Sequence, residues 1–230
     1  KAFGGVQALN GADLTLYPGE IHALLGENGA GKSTLLKALA GVHKIDSGSI
    51  TLNGKAFEQG STRRAREQGV AVIYQEPSLF PDLTLAENVF VGRQLQTGFA
   101  VNWKAMEQEA NKLFQQLGVK LDATSSARGL SIADQQIVEI AKALSTKATV
   151  IVMDEPTAAL SSKEVDRLFQ VARNLEAQNC AVVFVSHRLD EVFALCSRIT
   201  VMRDGATVGS SPTSEMTEQS VIKLMVGREV

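Results

Sequence analysis

A chain of 230 residues with 44% hydrophobic and 21% charged side chains can bury a sizeable core, as one large domain or two small ones. Its net charge of −2 gives no sign of a surface built for nucleic acid, and no apolar run reaches the length of a membrane span or opens the chain as a signal peptide. Cys180 and Cys196 stand in apolar company without paired Cys/His spacing, which reads as two reduced core residues of a cytosolic protein.

In chain order, the first expected strand is "IHALL" (21–25), and "GENGAGKST" (26–34) follows it directly. That run fits G-x-x-x-x-G-K-[ST] between a strand and a helix, the context of a phosphate-binding loop. Its glycines, Gly26, Gly29 and Gly31, let the backbone wrap closely around an anion. The N–H groups of Asn28 to Ser33, Ala30 among them, point inward as a nest. Lys32 reaches the β- and γ-phosphates as a mobile cation, and the Ser33 hydroxyl is a ligand for Mg²⁺. Glu27 and Thr34 complete the candidate cradle, and "TLLKALAG" after it carries a helical stripe.

Further on, "GSITLNGKAF" alternates around Asn53-Gly54 and predicts a small antiparallel hairpin. "STRRAR" (61–66) is basic and reads as a solvated helix face. "VAVIY" (70–74) is the next strand, with Gln75 just past its carboxyl end. Between Glu76 and Ser145 the character changes: two helices, "LTLAENVFVGRQ" and "NWKAMEQEANKLFQQLG", precede "GLSIADQQIVEIAKALS" with no strand among them. In that last stretch Ile137, Ile140, Ala141 and Leu144 share one helix face, and Ser131 with Asp134 three residues later reads as a capping box. The residues alone leave open whether this helix start is only capped or also meets a phosphate.

The run "VIVMDEPTAAL" (150–160) is a buried strand ending in two carboxylates. Asp154 stands where a phosphate-loop fold holds its Mg²⁺-binding acid, and Glu155 is suited to polarise an attacking water. The alternative is an Asp that caps the following turn, with Glu155 solvated. Val165, Leu168, Phe169, Ala172 and Leu175 mark a further helix. "AVVFV" (181–185) and "ITVM" (199–202) are the remaining strands, and His187 follows the first of these. Apolar runs alternating with helices predict a parallel sheet covered on both faces, with ligands gathered at the strands' carboxyl ends. The expected layout is α/β: a P-loop NTPase core with an N-terminal antiparallel β subdomain and an α-helical insertion over about 76–145.

With these pieces in order, the chain resembles the nucleotide-binding domain of ABC ATPases along essentially its whole length. "GENGAGKS" matches Walker A, "YQEPS" the Q-loop, "VIVMDE" Walker B and "VSHR" the switch histidine; "LSIADQQ" falls where the family carries Leu-Ser-Gly-Gly-Gln. The resemblance implies ATP and Mg²⁺ as cofactors. It implies that Phe3 stacks on adenine, that Ser33, Gln75 and Asp154 surround the metal, that Glu155 is the general base and that His187 contacts the γ-phosphate. It also implies that Ser131, Ala133 and Asp134 face ATP bound by a partner domain, so that ATP joins two domains head to tail.

Four positions depart from the family pattern. Ile132 and Ala133 replace the two signature glycines, Asp134 replaces the glutamine, and Ser161 in "AALS" stands where Asp is usual. A side chain at 133 is expected to hinder close approach. Asp134, at about 6 Å from a phosphate charge and an effective dielectric near 20, would be repelled by roughly 3 kcal/mol. A weak signature side beside an intact Walker side, with "VIYQEPSLFPDLTLAENVFVGRQ" and the terminal "MVGREV", resembles the first half of monosaccharide import ATPases of the ribose, xylose, galactose and rhamnose type. That resemblance implies a fragment of a longer chain, with a second such domain after 230 and a first strand before Lys1. It implies a transmembrane permease docked near Ser78 to Leu85, where exposed Leu79 and Phe80 would suit a groove, the alternative being that both are simply buried. It implies a periplasmic sugar-binding protein, no nucleic acid, and a peripheral place on the cytoplasmic face of the inner membrane. The alternative reading is a regulatory ATP-binding module with little turnover. Ribosomal and DNA-repair ABC proteins would need a coiled-coil insertion or charged linker, and a GTPase an Asn-Lys-x-Asp motif; neither pattern occurs.

Overall fold

Apolar, mostly β-branched runs form the centre of a six-stranded sheet in the computed structural model, which describes residues 1–227. The last three residues of "MVGREV", Arg228, Glu229 and Val230, lie outside the described residues. The strands are β1 (Glu20–Leu25), β2 (Val70–Ile73), β3 (Val150–Asp154), β4 (Ala181–Val185), β5 (Arg198–Arg203) and β6 (Ala206–Pro212). Their spatial order is β6-β5-β1-β4-β3-β2. All neighbours run parallel except β6, which returns antiparallel to β5.

Each strand serves two cores because successive side chains point to opposite faces. On β1, Ile21, Ala23 and Leu25 join the larger core, while Leu24 joins the smaller one with Leu9, Ala30 and Leu36. The helices among the described residues are α1 (Lys32–Leu39), α2 (Thr62–Glu67), α3 (Leu85–Phe90), α4 (Trp103–Gln116), α5 (Ile132–Leu144), α6 (Ser162–Ala177), α7 (Leu189–Leu195) and α8 (Glu218–Val226). Helices α3 to α8 bury apolar faces in the larger core, and α1 packs its Leu36 on the opposite face of the sheet. The stripe Val165, Leu168, Phe169, Ala172 and Leu175 is buried as its spacing predicts. Cys180 and Cys196 are buried free thiols, and burial pushes both up from the usual thiol range. Among the described residues no helix is long and apolar enough to cross a membrane.

The structure refines the expected layout in four places. The insertion is not free of strands: Gln96–Thr97 and Ala100–Val101 form a two-residue hairpin, and Thr84 bridges Ser126. The N-terminal β-rich part consists of two separate hairpins, Ala2–Phe3 with Val6–Gln7 and Thr51–Leu52 with Lys55–Ala56. Strand β6 went unread because "ATVGSSP" has no apolar run. Its signal lay in the Asp204-Gly205 turn, whose positive φ values (51° and 79°) give the two-residue hairpin loop that suits strand twist. Helix α3 ends at Phe90, short of the expected span, after a capping box between Thr84 and Glu87 opens it.

Phe184 lies in the middle of β4 with no exposure and meets Phe169 of α6 edge-on at a centroid distance of 6.1 Å. Phe184→Ala should lower the free energy of unfolding by about 3–5 kcal/mol, read from urea denaturation with the denaturant slope unchanged.

Candidate functional site

The parallel register sets the site. Val185 of β4 pairs with Leu24 of β1 on one side and with Asp154 of β3 on the other, and Ile73 of β2 pairs with Met153. The loop from Gly26, the Asp154–Glu155 pair, His187 and Gln75 therefore leave the sheet at one edge. Of these, Gln75 is an exposed residue of the connection that leaves β2.

The loop 26–34 is shaped by close backbone contacts. A Cβ on Gly26 would lie 2.4 Å from the Met202 carbonyl oxygen, and one on Gly31 would lie 2.7 Å from that of Ala8. Gly31, at φ 98°, forms the N-cap of α1 without a side-chain cap, and the first turn holds no acidic residue. The helix's orphan N–H groups and its positive dipole end are left for an outside acceptor. Lys32 Nζ donates to the carbonyls of Gly26 (2.6 Å) and Glu27 (3.1 Å). Burial lowers its affinity for a proton, against the pull of Glu155 and Asp154.

Opposite the lysine, burial first and then Glu155 push the Asp154 carboxyl above its ordinary 3.8, with Lys32 and Lys37 acting the other way. Glu155 holds φ 49°, a left-handed backbone that a branched-free acid adopts only at a cost, and its N–H donates to Val185 O at 2.9 Å. Its Oε2 lies 2.7 Å from His187 Nδ1. A carboxylate and an imidazole thus face each other beside the glycine loop and a second carboxylate.

The remaining candidates stand apart. Phe3 is 42% exposed in its hairpin and meets His43 edge-on at 5.0 Å. Ser131 caps α5: its Oγ accepts from the Asp134 N–H at 3.1 Å and donates to Asp134 Oδ2 at 3.1 Å. The expected capping box is only half formed, because the Asp side chain, one methylene shorter than Glu, turns to the Ser131 hydroxyl and not to its N–H. Asp134 Oδ1 lies 2.6 Å from Arg167 Nη1 of α6, so its charge is compensated, a partner that no local spacing announced. Ala133 is 1% exposed, and the hindrance expected there falls to Ile132, at 40%. Ser161 caps α6 through Glu164. Leu79 is packed against the larger core, contrary to the expectation of exposure, whereas Phe80 is exposed.

A family profile described as ABC transporter matches residues 9–158. The chain is 56% identical over its whole length to the ribose import ATP-binding protein RbsA of Rhodococcus jostii, and 54% identical to a protein of the same name from Streptomyces avermitilis. It spans 46% of each of those proteins, about half the length of the curated relatives it matches. An ATP-binding cassette of an ABC transporter solved in its ADP conformation superposes with a TM-score of 0.85 at 24% identity, covering 99% of this chain and 96% of that one. That likeness concerns the fold.

Because burial raises the Asp154 carboxyl in the folded chain, its ionisation opposes folding, by an amount that is absent below the ordinary carboxyl range and complete above the folded value. Asp154→Asn should therefore raise the thermal unfolding midpoint of the ligand-free chain at neutral pH, and the gain should shrink as the pH is brought down toward 4.

Proposed function

The chain belongs to the ABC transporter family, and from that premise we propose that it is the first ATP-binding half of an ATPase that powers import of a monosaccharide. The observation that carries this reading is the convergence of the glycine loop with Lys32, the Asp154–Glu155 pair and His187 at neighbouring carboxyl ends of one parallel sheet. The names of the most similar relatives support the transport role. Intact Lys32, Asp154, Glu155 and His187 speak against a purely regulatory module.

In this reading the triphosphate lies along 26–34, where main-chain N–H groups take its oxygens and Lys32 Nζ exchanges the Gly26 and Glu27 carbonyls for phosphate. Phe3 stacks on the adenine. Ser33, Gln75 and Asp154 hold Mg²⁺, which when bound neutralises phosphate charge. The fit is supported by the half-buried Asp154 beside a second acid. One carboxylate with a hydroxyl and phosphates suits magnesium, and among the described residues no cluster of three His, Cys, Asp or Glu side chains makes a separate metal site. Glu155 accepts a proton from the attacking water, and His187, already in contact with that carboxylate, orients it and reaches the γ-phosphate.

A second nucleotide-binding domain in the same polypeptide accounts for relatives about twice as long. Its signature would complete the site built here, while Ser131, Ala133 and Asp134 would face its ATP. That reciprocal site is proposed to be weak, because the Ser131 hydroxyl is already directed into Asp134. Permease subunits would dock in the groove between core and insertion lined by Tyr74, Pro77, Ser78, Arg93, Glu139 and Lys142. The protein would then sit peripherally on the cytoplasmic face of the inner membrane, with a periplasmic sugar-binding protein supplying the permease.

In the complete protein with its permease, Glu155→Gln should retain magnesium-dependent ATP binding by calorimetry while turnover falls by about 10²-fold or more. Full turnover in that variant would remove Glu155 from the role of base, and failure of the parent to bind ATP with magnesium would end the reading.

A further inference from the structure

We infer that Glu191 is a positioning residue for the Glu155–His187 pair, its buried carboxylate tying the loop after β3 to the loop after β4. This inference rests on the hydrolytic reading above and assigns a role to a residue that reading leaves unused. Glu191 sits in the first turn of α7 at 3% exposure. A carboxylate at that depth requires hydrogen bonds or a paired charge to offset its lost hydration.

Hydrogen-bond donors reach Oε2 from both site loops, while Oε1, which no aligned donor meets, is compensated by the Arg188 charge. Oε2 accepts from Thr157 Oγ1 at 2.5 Å and from Ser186 Oγ at 3.3 Å, and Oε1 lies 2.5 Å from Arg188 Nη1. Thr157 is 2% exposed and stands two residues after Glu155. Ser186 and Arg188 flank His187, and the Arg188 N–H donates to Ser186 Oγ at 3.0 Å, closing the turn that presents the imidazole. One acceptor-only group thus holds the side chains on both sides of His187 and just beyond Glu155. Glu155 needs such support, since its left-handed backbone is held by its N–H bond to Val185 O at 2.9 Å and a longer bond of 3.3 Å from the Ala158 N–H to its carbonyl. Thr157 and Glu191 are 34 residues apart, so no sequence spacing reveals the tie.

Glutamine at 191 keeps the shape but removes the charge that pairs with the Arg188 guanidinium and leaves one fewer acceptor for Thr157, Ser186 and Arg188. In single-turnover measurements on the complete protein, Glu191→Gln should slow ATP cleavage about tenfold with nucleotide affinity nearly unchanged, because a reacting pair displaced slightly loses rate, not binding. Thr157→Val, which removes one donor and keeps the volume, should slow it in the same sense by about threefold. In a His187→Ala background Glu191→Gln should cost clearly less than in the parent, since part of its action runs through the group already removed. Unchanged cleavage in Glu191→Gln, a loss that multiplies with His187→Ala, or affinity falling in step with rate would overturn this role alone. Absence of cleavage by the parent protein would overturn the hydrolytic reading and this role with it.

Discussion

The register of one central strand organises everything else. Val185 is paired with Leu24 and with Asp154, so three loops that are far apart in the chain begin at one level of the sheet. A slip by a single residue would turn every side chain of β4 to the other face and exchange its two cores. The buried alternation of Val182 and Phe184 with Val183 and Val185 forbids that slip. The apolar faces that stabilise the fold are thus also what aligns the charged loops.

At that edge the structure holds features that stability alone does not favour. Two adjacent acids share a half-buried place, a non-glycine residue occupies left-handed backbone, and a lysine is partly desolvated. Each is unfavourable in the free chain, and under the proposed function each would become useful when an anion with a divalent counter-ion arrives. The lysine's bonds to loop carbonyls and the carboxylate–imidazole contact hold these groups in the meantime. The surrounding register and the Glu191 tie keep the strained residue from relaxing.

The signature end of α5 shows the opposite economy. Its serine, aspartate and the neighbouring Arg167 satisfy one another. An ion pair with these exposures contributes at most about 1 kcal/mol to stability. Its effect is directional: it draws the carboxylate toward α6 and occupies the hydroxyl proton. The departure from the family pattern therefore acts through hydrogen bonds within the chain rather than through bulk at Ala133, whose methyl is buried.

Local sequence determined the parts with local causes. Five strands followed from apolar runs, the glycine loop from a strand–loop–helix spacing, and the adjacent acids Asp154 and Glu155 from their place at a strand's end. Strand β6, half exposed at the sheet's edge, left no such pattern. Tertiary structure alone decided which loops meet, that Glu155 faces His187, that Arg167 compensates Asp134 and that Glu191 joins two loops. The physical reason is that hydrogen bonds and charges act over a few ångströms in space, while a sequence displays only neighbours along the chain.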